Sequence, residues 1–140
     1  MSTFRLAGLL RLRKLQEDNV RAQLARTRAT ELQRRRSEQR VRNVLGESAV
    51  DATSAEAVQS IAAARASSSS MLGELDALLA QDVAAVAEAE AAHAAARART
   101  VQIEKLEERH AARARAGELR AEQLVLDEAA ARVSRNGGTA

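Results

Sequence analysis

The sequence contains no cysteine, no proline and only one aromatic residue, Phe4, in 140 positions. Without cysteine the chain has no disulfide framework and no thiolate metal site. Without proline, no ring interrupts a helix. Without large aromatic side chains, a compact domain of this length lacks the groups that best fill a core. The composition therefore excludes a disulfide scaffold and argues against an enzyme built around a concave pocket.

The abundant residues are strong helix formers. Alanine occupies 33 positions, and most of the rest are Arg, Glu, Leu and Gln. No run approaches the roughly 20 apolar residues that a membrane span requires. The composition predicts an all-α fold of long helices packed side by side in a single domain over residues 1–140. Together with the division of charge described next, it predicts a long antiparallel two-helix coiled coil (a helical hairpin).

Charge divides the chain unevenly. Residues 1–45 contain 12 Lys and Arg against 4 Asp and Glu, a net charge of +8, whereas residues 46–140 contain 10 against 15, a net charge of −5. Opposite charges favour folding the first segment back on the second, since a long parallel homodimer would align like charges. The surplus positive charge of the first segment suits an acidic partner.

The first helix is predicted to begin at Phe4, capped by Ser2 or Thr3, and to end near residue 45. A spacing of four and three residues predicts its packing face. This face has twelve positions, and half of them are polar. It is therefore expected to pack weakly or to pack against something other than a second copy of itself. The positions are Leu6, Leu10, Arg13, Glu17, Val20, Leu24, Thr27, Glu31, Arg34, Glu38, Val41 and Leu45.

A break is predicted over residues 46–53. Gly46 is the expected C-cap of the first helix. Thr53 and Glu56, three residues apart, predict a capping box for the second helix.

The second helical region is predicted over residues 54–134, followed by a disordered tail at 135–140. The four serines at 67–70 compete for backbone hydrogen bonds, so the sequence leaves open whether the helix kinks there. Its packing face is predicted by the same spacing. The positions are Leu72, Leu75, Leu79, Asp82, Val86, Ala89, His93, Ala96, Thr100 and Ile103.

Beyond Ile103 the apolar stripe shifts, with Leu119, Leu126 and Val133 seven residues apart, which indicates a stutter. The two ends of the chain are nevertheless expected to pack together. In that register Leu6, Leu9 and Leu10 face Leu119, Leu124 or Leu126.

No motif predicts catalysis or a cofactor. The chain has no glycine-rich phosphate loop and no His-Glu-x-x-His, and its two histidines, His93 and His110, lie 17 residues apart on the packing stripe. The basic residues at 34–36 invite a nucleic-acid hypothesis, but no stacking aromatic or known binding motif accompanies them. Residues 1–15 form a basic amphipathic segment that suits a membrane surface or a partner helix equally.

Both ends of the chain carry motifs of a known family. The first motif is Phe4-Arg5-Leu6 followed by Leu-Leu-Arg-Leu-Arg at 9–13. The others are Glu-Lys-Leu-Glu-Glu-Arg at 104–109 and Glu-Gln-Leu-Val-Leu-Asp-Glu-Ala-Ala at 122–130. Their order and positions resemble the flagellar export protein FliJ family over nearly the whole chain.

The resemblance implies a non-enzymatic component of the flagellar type III export apparatus, without cofactor or metal. It implies an antiparallel coiled coil similar to the stalk of rotary ATPases. The implied partners are the export ATPase ring, whose assembly the protein promotes, the cytoplasmic domain of the export gate, and export chaperones, with no nucleic acid. The implied location is cytoplasmic, peripheral at the inner membrane. The alternatives are a nucleic-acid-associated basic coiled coil and the equivalent stalk of a virulence-type secretion system.

The partner-binding residues expected from these motifs and from charge form two groups. The family's gate-binding patch is an apolar face in the middle of the chain, where this sequence departs because Val58 and Ile61 precede small residues and the serine run. No gate contact is therefore assigned. The expected partner-binding residues are Phe4, Arg5, Leu6, Leu9, Leu10, Arg11 and Arg13 in the first group, and Glu122, Gln123, Leu126, Asp127 and Glu128 in the second.

Overall fold

The computed structural model describes residues 2–47 and 54–138. Two helices account for almost all of them: α1 spans Ser2–Glu47 and α2 spans Ala55–Asn136. The described ranges contain no strand. The two helices pack against each other as an antiparallel pair, which confirms the predicted all-α helical hairpin.

The helix ends differ in detail from the prediction. α1 begins at Ser2 and runs through Gly46 to Glu47, and no glycine in the described ranges has a positive φ. The expected left-handed C-cap at Gly46 is therefore wrong. The N-cap of α2 is Ser54, whose Oγ accepts a hydrogen bond from the Ala57 amide at 3.2 Å; the expected cap, Thr53, lies outside the described residues.

The serine run does not interrupt α2, which is helical through residues 67–70. Alanines before the run and Met71, Leu72 and Leu75 after it are good helix formers. Their combined preference outweighs the local competition from four serine side chains.

The predicted packing faces are confirmed position by position. Every one of the twelve α1 positions and the ten α2 positions is buried or half-buried. The most enclosed apolar side chains are Leu24, Ala89 and Ala96, and Thr100 is fully buried. Alanine at two of these positions leaves little side-chain volume between the helices, so α1 and α2 share a thin interior.

The chain divides into two compact units, of which one comprises Gln16–Arg97. Ion pairs across this unit show that its helices run antiparallel. Arg42 lies near Asp76 at 3.9 Å, Arg34 Nε donates to Asp82 Oδ2, and Arg28 Nη2 donates to Glu90 Oε1 at 2.8 Å. Along these pairs the residue numbers rise on α2 as they fall on α1, as in an antiparallel pair of helices.

Polar side chains occupy part of the interior of the same unit. The Glu17 carboxylate is almost fully buried and contacts Arg21 at 3.1 Å and Arg97 at 3.7 Å. His93 Nε2 is buried, with no hydrogen-bond partner among the described residues. The predicted position of His93 on the packing face is thus confirmed.

The other unit comprises Met1–Leu15 and Ala98–Ala140. The Thr100 hydroxyl donates to the Arg13 backbone carbonyl at 3.4 Å, which joins α2 to α1. Along α2, burial ends at His110, and every residue from 111 to 138 is exposed. Within this unit, α1 therefore covers α2 only as far as about residue 110.

The expected packing of the chain ends is wrong. Leu119, Leu124 and Leu126 are 66%, 67% and 63% exposed, so they do not face the leucines of α1. With Arg13 beside Thr100, an antiparallel register places Leu10 near Ile103 and the first residue of α1, Ser2, near residue 111. α1 therefore does not extend as far as Leu119.

We expect Leu24→Ala to lower the free energy of unfolding by about 2 kcal/mol, at the lower end of the range for buried leucines because the interior is thin. Leu24 is 6% exposed, whereas Leu15, also on α1, is 62% exposed. Leu15→Ala is the matched control and should change stability little. Chemical denaturation followed by circular dichroism measures both; equal losses would contradict the assigned packing face.

Candidate interaction surfaces

The first group of expected partner-binding residues lies at the start of α1. Arg5 and Arg11 are exposed, and the Phe4 side chain lies outside the described residues. The hairpin itself uses the remaining members, which are half-buried. These are Leu6, Leu9, Leu10 and Arg13. Among the members whose side chains the structure describes, only the two arginines are therefore fully exposed to a partner.

The second group lies on the part of α2 that α1 does not cover. All five members are exposed: Glu122, Gln123, Leu126, Asp127 and Glu128. Three of them make contacts within the helix, since Gln123 Nε2 donates to Asp127 Oδ1 at 3.1 Å and Glu128 lies 3.7 Å from Arg132. The two groups share one unit, but Glu122 is twelve residues past His110, about 18 Å along the helix.

Further exposed apolar side chains surround the second group. Leu119, Leu124, Val125 and Val133 are all at least 66% exposed. Ala121, Val125 and Leu126 line a shallow apolar surface with Glu122 beside them. The sequence pattern does not predict this surface, because it places Leu119, Leu124 and Leu126 in the hairpin interior. The shift of the stripe after Ile103 was the signal that could have identified it.

Many arginines of the basic segment are engaged by carboxylates. Arg34 pairs with Asp82 and Arg28 with Glu90 across the helices. Arg21, Arg35 and Arg42 each pair with an acidic residue three or four positions earlier on α1. Much of the local positive charge is therefore balanced inside the hairpin, which weakens the nucleic-acid hypothesis.

Within the described ranges, no cluster of three or more His, Cys, Asp or Glu side chains is arranged to hold a metal ion. In the same ranges, neither helix contains an apolar stretch long enough to cross a bilayer. The exposed end of α2 can therefore bind a partner through apolar contacts, with charged side chains beside them.

Comparison with known proteins identifies a family that the chain matches. The family model described as "Flagellar FliJ protein" matches residues 1–139. No curated protein and no solved structure matches the chain. A match over essentially the whole chain confirms the resemblance seen in the terminal motifs, and it is consistent with a non-enzymatic protein. The chain therefore belongs to the flagellar FliJ family, a family of flagellar export components.

Proposed function

We propose that this chain is a stalk that binds the export ATPase ring and promotes its assembly. The observation that carries the proposal is the exposed end of α2, residues 111–138, which extends past the paired part of its unit. A single helix with apolar and charged side chains on its surface can enter a ring and contact several subunits. At about 1.5 Å per residue, the helical part of this segment, residues 111–136, is about 39 Å long.

The effect on the ring follows from linkage. A chain that binds the closed ring more tightly than free subunits shifts the assembly equilibrium by the difference in binding free energy. The ATP chemistry belongs to the ring, and the stalk contributes only binding. The proposed contacts are Arg5 and Arg11 at the start of α1, together with the second group on α2.

We further propose that the unit Gln16–Arg97 contacts the cytoplasmic domain of the export gate. Val44, Val58 and Met71 are 61%, 53% and 49% exposed. Val44 lies near the end of α1, Val58 lies in the first turn of α2, and Met71 lies about four turns further along α2. Exposed apolar side chains suit a protein partner. A protein that joins the ring to the gate would work in the cytoplasm at the face of the inner membrane, and export chaperones are its further proposed partners.

The ring contact is tested by reversing charge at its exposed arginines. We expect Arg5→Glu with Arg11→Glu to weaken stimulation of the ATPase, and added salt to reduce stimulation by the wild-type chain in the same way. Arg26→Glu with Arg40→Glu is the matched control, because these arginines are exposed on α1 in the other unit. The control changes net charge equally and should retain stimulation.

Equal loss in the two double variants would show that net charge alone matters, and would overturn the assigned contact. Tight binding of duplex DNA by the purified chain, with a steep salt dependence, would instead favour the nucleic-acid function.

A further inference from the structure

The exposed end of α2 has a regular apolar stripe of its own. Between residues 112 and 133, positions separated by four and three residues are apolar in six of seven cases. We call these seven positions the C-terminal stripe. They are Ala112, Ala116, Leu119, Gln123, Leu126, Ala130 and Val133, all exposed. A spacing of this kind is the pattern of a helix that packs against another helix.

The C-terminal stripe is not a continuation of the face that meets α1. In the same unit, the positions of α2 that α1 covers include Thr100, Ile103, Glu107 and His110. At 100° per residue, the stripe is rotated by about 150° from them around the helix axis. It therefore points to nearly the opposite side of α2, where no part of its own unit covers it.

We propose that the C-terminal stripe binds the same stripe of a second copy of this chain, with the two helices antiparallel. In that arrangement Leu126 lies beside Gln123 of the second copy, and Leu119 lies beside Ala130 of the second copy. Val133 lies beside Ala116 of the second copy. Leu119 and Val133 thus each meet an alanine of the second copy, which lets the helices approach closely in those layers.

The charges beside the stripe favour this orientation over the parallel one. Arg120 follows Leu119 and Asp127 follows Leu126, so both flank the stripe on one side. In the antiparallel dimer Arg120 of each copy meets Asp127 of the other, giving two opposite-charge pairs. Within one chain, Gln123 occupies only Asp127 Oδ1, which leaves Oδ2 for the arginine.

A parallel dimer through the same stripe would be opposed by like charges. Arg115 precedes Ala116 and Glu122 precedes Gln123, on the other flank of the stripe. Parallel coiled coils bring such a residue next to the one five positions later on the partner helix. Arg115 would then face Arg120 of the second copy, and Glu122 would face Asp127 of the second copy.

The pairing has a consequence for the ring contact. Leu126 belongs to the C-terminal stripe and Asp127 flanks it, and both residues are also among those assigned to the ring. Self-pairing and ring binding would therefore compete, and the free chain would be held as a dimer until the ring is present. This consequence rests on the proposed function, whereas the pairing itself does not and is tested without the ring.

Sedimentation equilibrium of the full-length chain tests the pairing. Wild type should dimerise, and Arg120→Asp or Asp127→Arg alone should raise the dimer dissociation constant about tenfold, because each change creates two like-charge pairs. The double variant carrying both changes should dimerise like wild type. An equimolar mixture of the two single variants should form a heterodimer, because opposite charges then meet again.

The orientation is measured by a distance between spin labels. The chain has no cysteine, so Ser134→Cys gives one label per copy at an exposed position. The antiparallel dimer predicts about 30 Å between the labels, and a parallel dimer about 10 Å. A wild-type chain that stays monomeric, a dimer insensitive to both reversals, or a distance near 10 Å would each overturn the proposal.

Discussion

Replacing Arg34 with methionine is expected to lower the free energy of unfolding by about 2 kcal/mol, because the change leaves a mostly buried carboxylate without its cation. The Asp82 side chain is only 14% exposed, and Arg34 Nε is its partner across the helices. Methionine keeps the length and apolar stem of the arginine, so packing changes little. Chemical denaturation gives the loss directly.

A second variant separates the lost charge from lost packing. Arg34→Met combined with Asp82→Leu should recover most of the stability, since an apolar pair of similar size replaces a desolvated ion pair at little net cost. Arg28→Met is the matched control, because it also removes a cation that pairs across the helices, but its partner Glu90 is 51% exposed and surface pairs contribute little. Equal losses in Arg34→Met and Arg28→Met would contradict the assigned burial.

Deleting residues 119–140 is expected to abolish stimulation of the export ATPase while leaving the hairpin folded. Every described residue of the deleted part is exposed, so its removal takes no buried side chain from the interior. The same deletion removes the second group of proposed contacts. Enzymatic assays with the purified ATPase measure the first effect, and amide exchange around Leu24, Ala89 and Ala96 measures the second.

Leu124→Ala provides the matched point variant for the deletion. Leu124 is exposed and lies off the C-terminal stripe, so we expect no change in the melting temperature of the chain. Had Leu124 faced the leucines of α1, the same variant would lower it. Loss of exchange protection in the deletion variant would show that the end of α2 supports the hairpin after all.

The sequence predicts which face of each helix packs. Glu17, Arg34 and Thr100 are polar, yet the four-and-three spacing assigned them to the interior, and all three lie there. Periodicity is sufficient for this because a helix repeats its faces every 3.6 residues. The spacing can thus identify interior positions even when half of the residues are polar.

The offset between the helices could not be predicted in the same way. A helix face repeats every seven residues, so sliding α1 along α2 by one heptad keeps apolar faces together. Specific polar contacts select the offset: the Thr100 hydroxyl bonds to the Arg13 carbonyl, and Arg34 bonds to Asp82. The prediction that the two ends of the chain pack together places Leu126 in the interior, but Leu126 is exposed.

The helix caps could not be predicted from composition, because they depend on the local backbone conformation. Glycine permits a left-handed C-cap but does not require one, and at Gly46 the helix continues for another residue. At the start of α2, Ser54 and its neighbour Thr53 are both good cap residues. The structure uses Ser54, one position later than the sequence suggested.

The proposed stalk function is tested by the ATPase rate measured against ATPase concentration, with and without an equimolar amount of this chain. We expect the chain alone to hydrolyse no ATP and to shift the rise in specific activity to lower ATPase concentration, because binding the closed ring favours assembly. Two superimposed curves, with no co-sedimentation of chain and ring, would contradict the proposal that this chain favours the assembled ring.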